Sequence, residues 1–409
     1  MKVLYFHQHF STPAGATGLR SYAMARRLIE RGHQVSVVCG SYRAADSGLN
    51  GPFTRGRRQG IVDGFEVIEI DLPYSNSDSY LRRSRTFVRF ALCGIQLALS
   101  ENYDLVFATT TPLTAGIPAI FARFLRGKRF VFEIRDLWPE LPRAMGTITN
   151  PVVLAMMSAL EWLSYRSAHR LIALAPGIVD GIARRGVPRD RITMIPNGCS
   201  LDLFRMGLPG WRPEGVRASD LMAVFAGTHG RANGLDALLE AASVLKRRGA
   251  DVIKIVLIGD GASKGRLIQR ARDERLDNVV FQDPVDKERL ARLLAGADLG
   301  LQILANVPQF YYGTSPNKFF DYLAAGLPVA TNYPGWIADL IREHRIGFVV
   351  PSQDPDSFAD RLQCAAADRG ALIAMRGRAR ALAETQFDSR ELADRFVDWL
   401  EQCRSYRTE

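Results

Sequence analysis

The sequence predicts an α/β protein made of two doubly wound domains of similar plan. Short apolar runs rich in Val, Ile and Phe recur along the chain without polar alternation, as parallel strands buried on both faces require. Helical stretches separate them, and strand–helix alternation implies a parallel sheet covered by helices. The pattern then restarts past the middle of the 409-residue chain. Arg26-Arg27-Leu28-Ile29-Glu30-Arg31-Gly32-His33-Gln34-Val35 and Val244-Leu245-Lys246-Arg247-Arg248-Gly249-Ala250-Asp251-Val252 share one phrase: a basic helix end, a Gly stop and a strand start. At roughly 150 residues per domain, the length fits two or three domains.

In order, a strand is expected over Lys2–Phe10, a helix over Leu19–Arg31 and a strand over Gln34–Cys39. Further strands are expected at Phe65–Ile70, Asp104–Thr109, Arg129–Ile134, Arg170–Leu174 and Ile192–Ile195. The second half gives a strand at Met222–Ala226, a helix at Leu235–Arg248 and a strand at Val252–Ile258. Strands at Asn278–Gln282, Leu299–Leu304, Pro328–Thr331 and Ile346–Val350 follow. The boundary is expected near Pro196–Asp202, dividing the chain into domains 1–198 and 199–388, with a last helix at about 389–404 able to pack on either.

Hydrophobic residues make up 47% and charged residues 23%, the mix of a soluble globular chain. That excludes a disordered, collagen-like or small disulfide-stapled protein. No run of 18 uncharged apolar residues offers a spanning helix, and Met1–Phe6 reads as a strand rather than part of a signal peptide. Cys39, Cys93, Cys199, Cys364 and Cys403 are scattered and odd in number, which points to a reducing, cytoplasmic setting. His7 and His9 share a strand face without a third ligand nearby in sequence, so no metal site is expected.

The positive charge is uneven. Residues 1–200 hold 25 Lys and Arg against 15 Asp and Glu, a net of +10, whereas residues 201–409 hold 28 of each. An anionic partner for the first half, or a solvated basic face, accounts for this. Within it, Tyr80–Leu99 carries Arg82, Arg83, Arg85 and Arg89 among Leu81, Phe87, Val88, Phe90, Leu92, Ile95 and Leu97. Such a stretch either lies at an anionic membrane interface or forms a domain helix with a solvated basic side. No nucleic-acid recognition motif is present.

Three Gly-containing loops follow expected strands. Pro13-Ala14-Gly15-Ala16-Thr17-Gly18-Leu19-Arg20 enters a helix, so Gly15 and Gly18 allow close backbone approach to an anion and Arg20 adds a charged fork. Gly227-Thr228-His229-Gly230-Arg231-Ala232-Asn233-Gly234 and Gly259-Asp260-Gly261 are the counterparts in the second half. Gly-rich strand ends gather at the carboxyl edge of a doubly wound sheet, where ligands bind. The densest cluster is Gly313-Thr314-Ser315-Pro316-Asn317-Lys318-Phe319-Phe320-Asp321. A helix is expected to start near Pro316 with Ser315 as its N-cap, Lys318 near the N-terminus, and Asp321 on the same face as Lys318. An anion site and a capped helix with a surface Lys–Asp pair both fit this pattern.

From Asp321, the stretch Asp-Tyr-Leu-Ala-Ala-Gly-Leu-Pro-Val resembles the E-A-x-A-x-G-x-P-V segment of the family 4 retaining glycosyltransferases. Pro196-Asn197-Gly198-Cys199-Ser200-Leu201-Asp202-Leu203-Phe204 resembles their hinge phrase. Arg135-Asp136-Leu137-Trp138-Pro139-Glu140, Gly227-Thr228-His229-Gly230 and Ser315-Pro316-Asn317-Lys318 resemble the branch that includes the L-fucosaminyltransferases of bacterial O-antigen and capsule assembly. The resemblance implies a GT-B fold of two Rossmann-like domains facing across a cleft, with the last helix returning to the N-terminal domain. It implies a UDP-sugar donor on the C-terminal domain and an acceptor on the N-terminal one. The implied acceptor is a lipid diphosphate-linked saccharide at the cytoplasmic face of the inner membrane, with residues 80–99 on the membrane surface. No metal and no nucleic acid are implied.

Carried across residue by residue, the resemblance puts Asp321 at the second Glu of the E-x7-E motif, on the nucleotide ribose, and Gly313 at the first, so that the first carboxylate is missing. Ser315, Pro316, Asn317 and Lys318 would supply diphosphate contacts, with Gly227, Thr228, His229, Arg231, Gly259 and Gly261 around the donor. Asn233 stands where the family has Lys, and Lys318 or Arg231 would replace the lost cation. Arg20, Gly15 and Gly18 would meet the leaving diphosphate. Asp136 or Glu140 would orient the acceptor hydroxyl, and Trp138 would stack on sugar or fill the core. A GT-B epimerase and a non-catalytic nucleotide-sugar-binding scaffold are the alternatives.

Overall fold

The structure is a computed structural model and describes residues 1–15, 18–75 and 78–405. Backbone contacts divide it into two compact units. The first holds Met1–Asn197, the short segment Tyr312–Ser315 and the final helix Ser389–Ser405. The second holds Gly198–Tyr311 and Pro316–Asp388.

The strands of the first unit are β1 Lys2–Phe6, β2 Gln34–Tyr42, β3 Arg57–Val62, β4 Phe65–Tyr74, β5 Leu105–Thr109, β6 Arg129–Ile134, β7 Arg170–Ala173 and β8 Ile192–Met194. They form one sheet in the order β3-β4-β2-β1-β5-β6-β7-β8, parallel except for β3, which runs against β4. Strand order reverses between β1 and β5, and a switch point of this kind opens a crevice at the carboxyl ends of the strands.

The second unit contributes β9 Leu221–Ala226, β10 Ile253–Ile258, β11 Val279–Gln282, β12 Leu299–Gln302, β13 Val329–Thr331 and β14 Gly347–Val349. Their order is β11-β10-β9-β12-β13-β14, all parallel, with the switch between β9 and β12. Every residue of β9 is buried, as a central parallel strand demands.

The apolar runs therefore sit where expected, with ends shifted by a few residues. The unexpected strand is β3. Its Arg57-Arg58-Gln59-Gly60 start is polar because it is an exposed antiparallel edge. Asp63 and Gly64, both at positive φ, make the two-residue turn into β4, and an Asp-Gly pair there is the one sequence signal for such a hairpin.

One side of the first sheet is covered by helices Arg20–Glu30 and Ser389–Ser405. Leu392, Phe396, Val397 and Leu400 enter that core, and Phe396 meets Phe107 of β5 edge-on at 5.0 Å. Arg27 adds a two-pronged bond to Asp394, at 2.7 and 2.6 Å, on the partly exposed rim. The opposite side is covered by helices Tyr80–Ser100, Ile117–Arg126 and Pro151–Ser167, which pack in that order. Gly94 lets Pro118 and Phe6 approach, and Gly116 does the same for Ser164 and Phe132.

Burial of an aromatic ring outweighs a rim ion pair. Phe396→Ala should therefore cost about 3–5 kcal/mol of stability, and Asp394→Asn less than about 1 kcal/mol. Denaturant unfolding of the two variants measures both, and a larger loss for Asp394→Asn would mean that charge rather than packing holds the last helix.

Candidate functional site

In the second unit, the loops after β9 and β10 lie side by side at the carboxyl edge of the sheet, the first of them bordering the switch point. Gly227 N–H donates to Ile258 O at 2.9 Å, His229 N–H to Asp260 O at 2.8 Å, and Ser263 N–H to His229 O at 2.9 Å. Both loops require glycine. Gly227 (φ +152°) would bring a Cβ to 3.1 Å from the Lys318 side chain, and a Cβ on Gly259 (φ +143°) would collide with the Gly227 carbonyl. A Cβ on Gly261 would run into the backbone of His229. Lys264 braces the second loop, donating to Gly259 O at 2.9 Å and Gln282 O at 3.2 Å while pairing with Asp283 at 2.6 Å.

Helix Asn317–Ala324 points its first turn at these loops. Tyr322 anchors it, its hydroxyl accepting the Ala226 N–H at 3.0 Å just where β9 ends. The room for that ring exists because β12 has Gly300, where a Cβ would lie 2.6 Å from it. Lys318 then reaches over β9. Its ammonium lies 4.1 Å above the Phe225 ring and donates to Asn233 Oδ1 at 2.8 Å. Asn233 is itself tied to the loop through Thr228 O at 2.7 Å. Among the described residues, no carboxylate lies within ion-pair distance of Lys318. Desolvation without a counter-charge pulls its pKa from the ordinary lysine value down to about 7.

Two sequence expectations about this helix are corrected. Pro316, not Ser315, occupies the N-cap position, and no side chain caps the helix. The Ser315 hydroxyl instead accepts the Asn197 N–H at 2.9 Å, while Ser315 O accepts from the Asn197 side chain at 2.6 Å, both inside the first unit. Asp321 does not pair with Lys318: its carboxylate bonds Lys287 at 2.9 Å. Sharing a helix face does not pair them here, because Lys287 takes the Asp321 carboxylate and Asn233 the Lys318 ammonium.

The other predicted donor residues fall around the same loops. Thr228 and Arg231 are exposed, Asn317 is exposed at the helix start, and Gly259 and Gly261 frame the second loop. His229 contributes only its backbone. Its ring is fully buried between Phe225 and Phe281, where burial and the nearby Lys264 lower its pKa to about 4, so it is neutral and sealed from ligand. A Cβ at Gly313 would meet nothing within 4 Å.

At the carboxyl edge of the first sheet, Arg20 is committed to structure. Its guanidinium donates to Glu133 at 2.9 Å, Pro196 O at 2.6 Å and Ile195 O at 2.9 Å. Glu133 is fully buried and also accepts Thr109 Oγ1 at 2.7 Å and Arg135 Nε at 3.2 Å. Burial alone would raise its pKa, but the two guanidinium groups hold it below the ordinary value. The sequence placed Arg20 on an anion; in the structure its guanidinium is engaged by the buried Glu133, which needs a counter-charge. A charged residue in a strand buried on both faces was the available signal.

Gly15 is needed for packing, since a Cβ would collide with Ser11 and crowd the Asp46 backbone. Gly18 lies just before the helix Arg20–Glu30, while Ala16 and Thr17 of the same loop lie outside the described residues. Asp136 accepts Thr111 Oγ1 at 3.4 Å, and burial pushes its pKa up against the pull of Arg135. Glu140 is paired with Arg185 at 3.2 Å. Trp138 is half-buried, with its Nε1 covered. Burial and Arg135 likewise keep His7 and His9 neutral, His9 falling to about 3. Among the described residues, no three His, Cys, Asp or Glu side chains come together as a metal-holding set.

Comparison with known proteins decides the family. The Glycosyl transferase 4-like domain matches residues 15–198, and the Glycosyl transferases group 1 family matches residues 221–368. The chain is a glycosyltransferase of the family 4 type. A D-inositol 3-phosphate glycosyltransferase of Paenarthrobacter aurescens is 28% identical over 206 residues, 48% of each chain, so the match reaches about half the length of that relative. The putative colanic acid biosynthesis glycosyltransferase WcaL of Escherichia coli is 24% identical over 333 residues, 78% of this chain and 76% of the relative. The fold matches HepE of Anabaena, solved in complex with UDP, with a TM-score of 0.67 at 17% identity, covering 98% of this chain and 100% of that one. The fold is therefore that of the GT-B glycosyltransferases, with a parallel-sheet Rossmann-like domain in each half of this enzyme.

The Lys318 environment has a measurable signature. The folded protein releases the Lys318 proton near pH 7, whereas the unfolded chain keeps it up to the ordinary lysine range. The unfolded state binds more protons between those values, so this group's destabilising effect is full below pH 7 and fades as pH rises towards 10. Lys318→Met should raise Tm at pH 7, with the gain shrinking by pH 10. A lower Tm for the variant at pH 7 would show that the ammonium is well paired.

Proposed function

We propose that this glycosyltransferase moves a sugar from a UDP-sugar to a lipid-linked or saccharide acceptor in bacterial surface polysaccharide synthesis, with retention of configuration. The observation that carries the reading is Lys318: an ammonium with no carboxylate partner among the described residues, at the switch point of the second sheet, beside two glycine loops. A diphosphate supplies the missing counter-charge, and loop N–H groups and the helix start stabilise its negative charge as it departs. HepE was solved with UDP, which supports a uridine nucleotide. WcaL, by its name, belongs to colanic acid biosynthesis, which supports a surface polysaccharide. The resemblance to L-fucosaminyltransferases supports an N-acetylated amino or deoxyamino sugar.

In this reading the bond between the anomeric carbon and the donor phosphate oxygen breaks, and a new bond forms to the acceptor hydroxyl oxygen on the same face. The acceptor proton passes to the departing diphosphate oxygen. Lys318 and the loops Gly227–Gly234 and Gly259–Gly261 hold the diphosphate, and Asp321 exchanges Lys287 for the ribose. Of the two acceptor candidates, Asp136 is favoured, because Glu140 is already held by Arg185. Metal independence and action at the cytoplasmic face of the inner membrane, through helix Tyr80–Ser100, belong to the same reading.

Thermal-shift and calorimetric screening with UDP, GDP, dTDP, NAD and EDTA tests it. UDP at about 100 times its dissociation constant should stabilise the protein by about 2.7 kcal/mol, selectively and regardless of EDTA. No response to any nucleotide would count against a donor site. Lys318→Ala should cut turnover by about 100-fold or more while the variant stays folded, and unchanged turnover would remove Lys318 from the mechanism.

A further inference from the structure

Most of the large apolar side chains left exposed among the described residues lie on three neighbouring helices: Tyr80–Ser100, Ile117–Arg126 and Pro151–Ser167. These helices share the side of the first sheet away from the final helix. The first helix is apolar on two sides. Its inner face buries Phe90, Gly94 and Leu97, yet Leu81, Val88, Leu92 and Leu99 form a second stripe and are 84%, 53%, 61% and 37% exposed. Their spacings of 7, 4 and 7 residues place them on one line along a helix. The next helix exposes Phe121, Phe124 and Leu125, and the third exposes Val152, Met156 and Trp162.

The charge on this layer has one sign. The three helices carry Arg82, Arg83, Arg85 and Arg89, then Arg123 and Arg126, then Arg166, and no lysine. Their single carboxylate, Glu161, is 1% exposed and paired with Arg185 at 3.0 Å. Exposed apolar side chains spread over three packed helices mark an interaction site, and the arginines among them favour an anionic partner, although Arg82 already pairs with Asp78 at 3.4 Å. A second copy of the chain docking on the same face would set arginine against arginine, which disfavours a symmetric dimer.

We infer that the three-helix face as a whole, not the first helix alone, docks on an anionic lipid bilayer. The Leu, Phe and Met side chains enter the headgroup–acyl boundary while the arginines reach phosphate headgroups. This gives the membrane association proposed above a place and a lipid class. Its test reads binding alone, so its failure leaves the donor chemistry standing.

The test is co-sedimentation of the full chain with vesicles of phosphatidylethanolamine and phosphatidylglycerol, against vesicles of phosphatidylcholine. The wild-type chain should bind the anionic vesicles, more weakly at high salt, and not the neutral ones. Leu92→Glu, Phe124→Glu and Met156→Glu, one per helix, should each reduce partitioning about tenfold or more, with Tm and the UDP-induced shift unchanged. Equal binding to neutral vesicles, or no binding, would overturn the inference. So would loss in Leu92→Glu with full binding in the other two, or light scattering showing a dimer that these variants dissolve.

Discussion

The ammonium of Lys318 is held over an aromatic face with a neutral amide as its polar partner, and the architecture around it serves that arrangement. A partly buried cation without a counter-charge costs stability. It persists here because the Tyr322 anchor, the missing side chains at Gly227 and Gly300, and the Asn233 bridge fix the helix start against the end of β9. Each of these is a packing constraint on the second sheet. Together they hold Lys318, without an ion pair among the described residues, at the edge where ligands of doubly wound sheets bind.

The first unit handles charge in the opposite way. Glu133 is buried in the sheet and its charge is met twice, by Arg20 and Arg135. Arg20 also bonds the carbonyls of Ile195 and Pro196, tying the start of the first helix to the chain just beyond β8. Arg20 thus spends all three of its guanidinium nitrogens on protein acceptors. Asp136, beside this network, has a weaker hydrogen bond and a carboxyl that burial makes less acidic. Within each unit, the pairing of charges thus separates residues that build the edge from residues available for chemistry.

Much of this was legible in the sequence. Unbroken apolar runs located the parallel strands, because burial on both faces leaves no room for alternation. The Gly-rich strand ends located the paired loops after β9 and β10. Lys318 was legible by its place at a helix start, but its partner was not: an Asp three residues on suggested an ion pair, whereas Lys287 from a distant helix takes Asp321. Ser315 had the chemistry of an N-cap and was diverted by Asn197, a contact 118 residues away in sequence. Arg20 is likewise engaged by a distant partner, since Glu133 is 113 residues away. Local spacing encodes helix starts and turns, but it does not encode which distant side chain reaches a given charge first.

Proton uptake on nucleotide binding tests the central claim most directly. If a diphosphate supplies the counter-charge of Lys318, binding of UDP raises the pKa of a group that sits at about 7 when unpartnered. Calorimetry at pH 7.5 in buffers of different ionisation enthalpy should then show a fraction of a proton taken up per UDP. Affinity should strengthen as pH falls from 8 towards 6.5, and Lys318→Met should lose both effects. UDP binding without proton uptake, or with the same pH dependence in Lys318→Met, would contradict it.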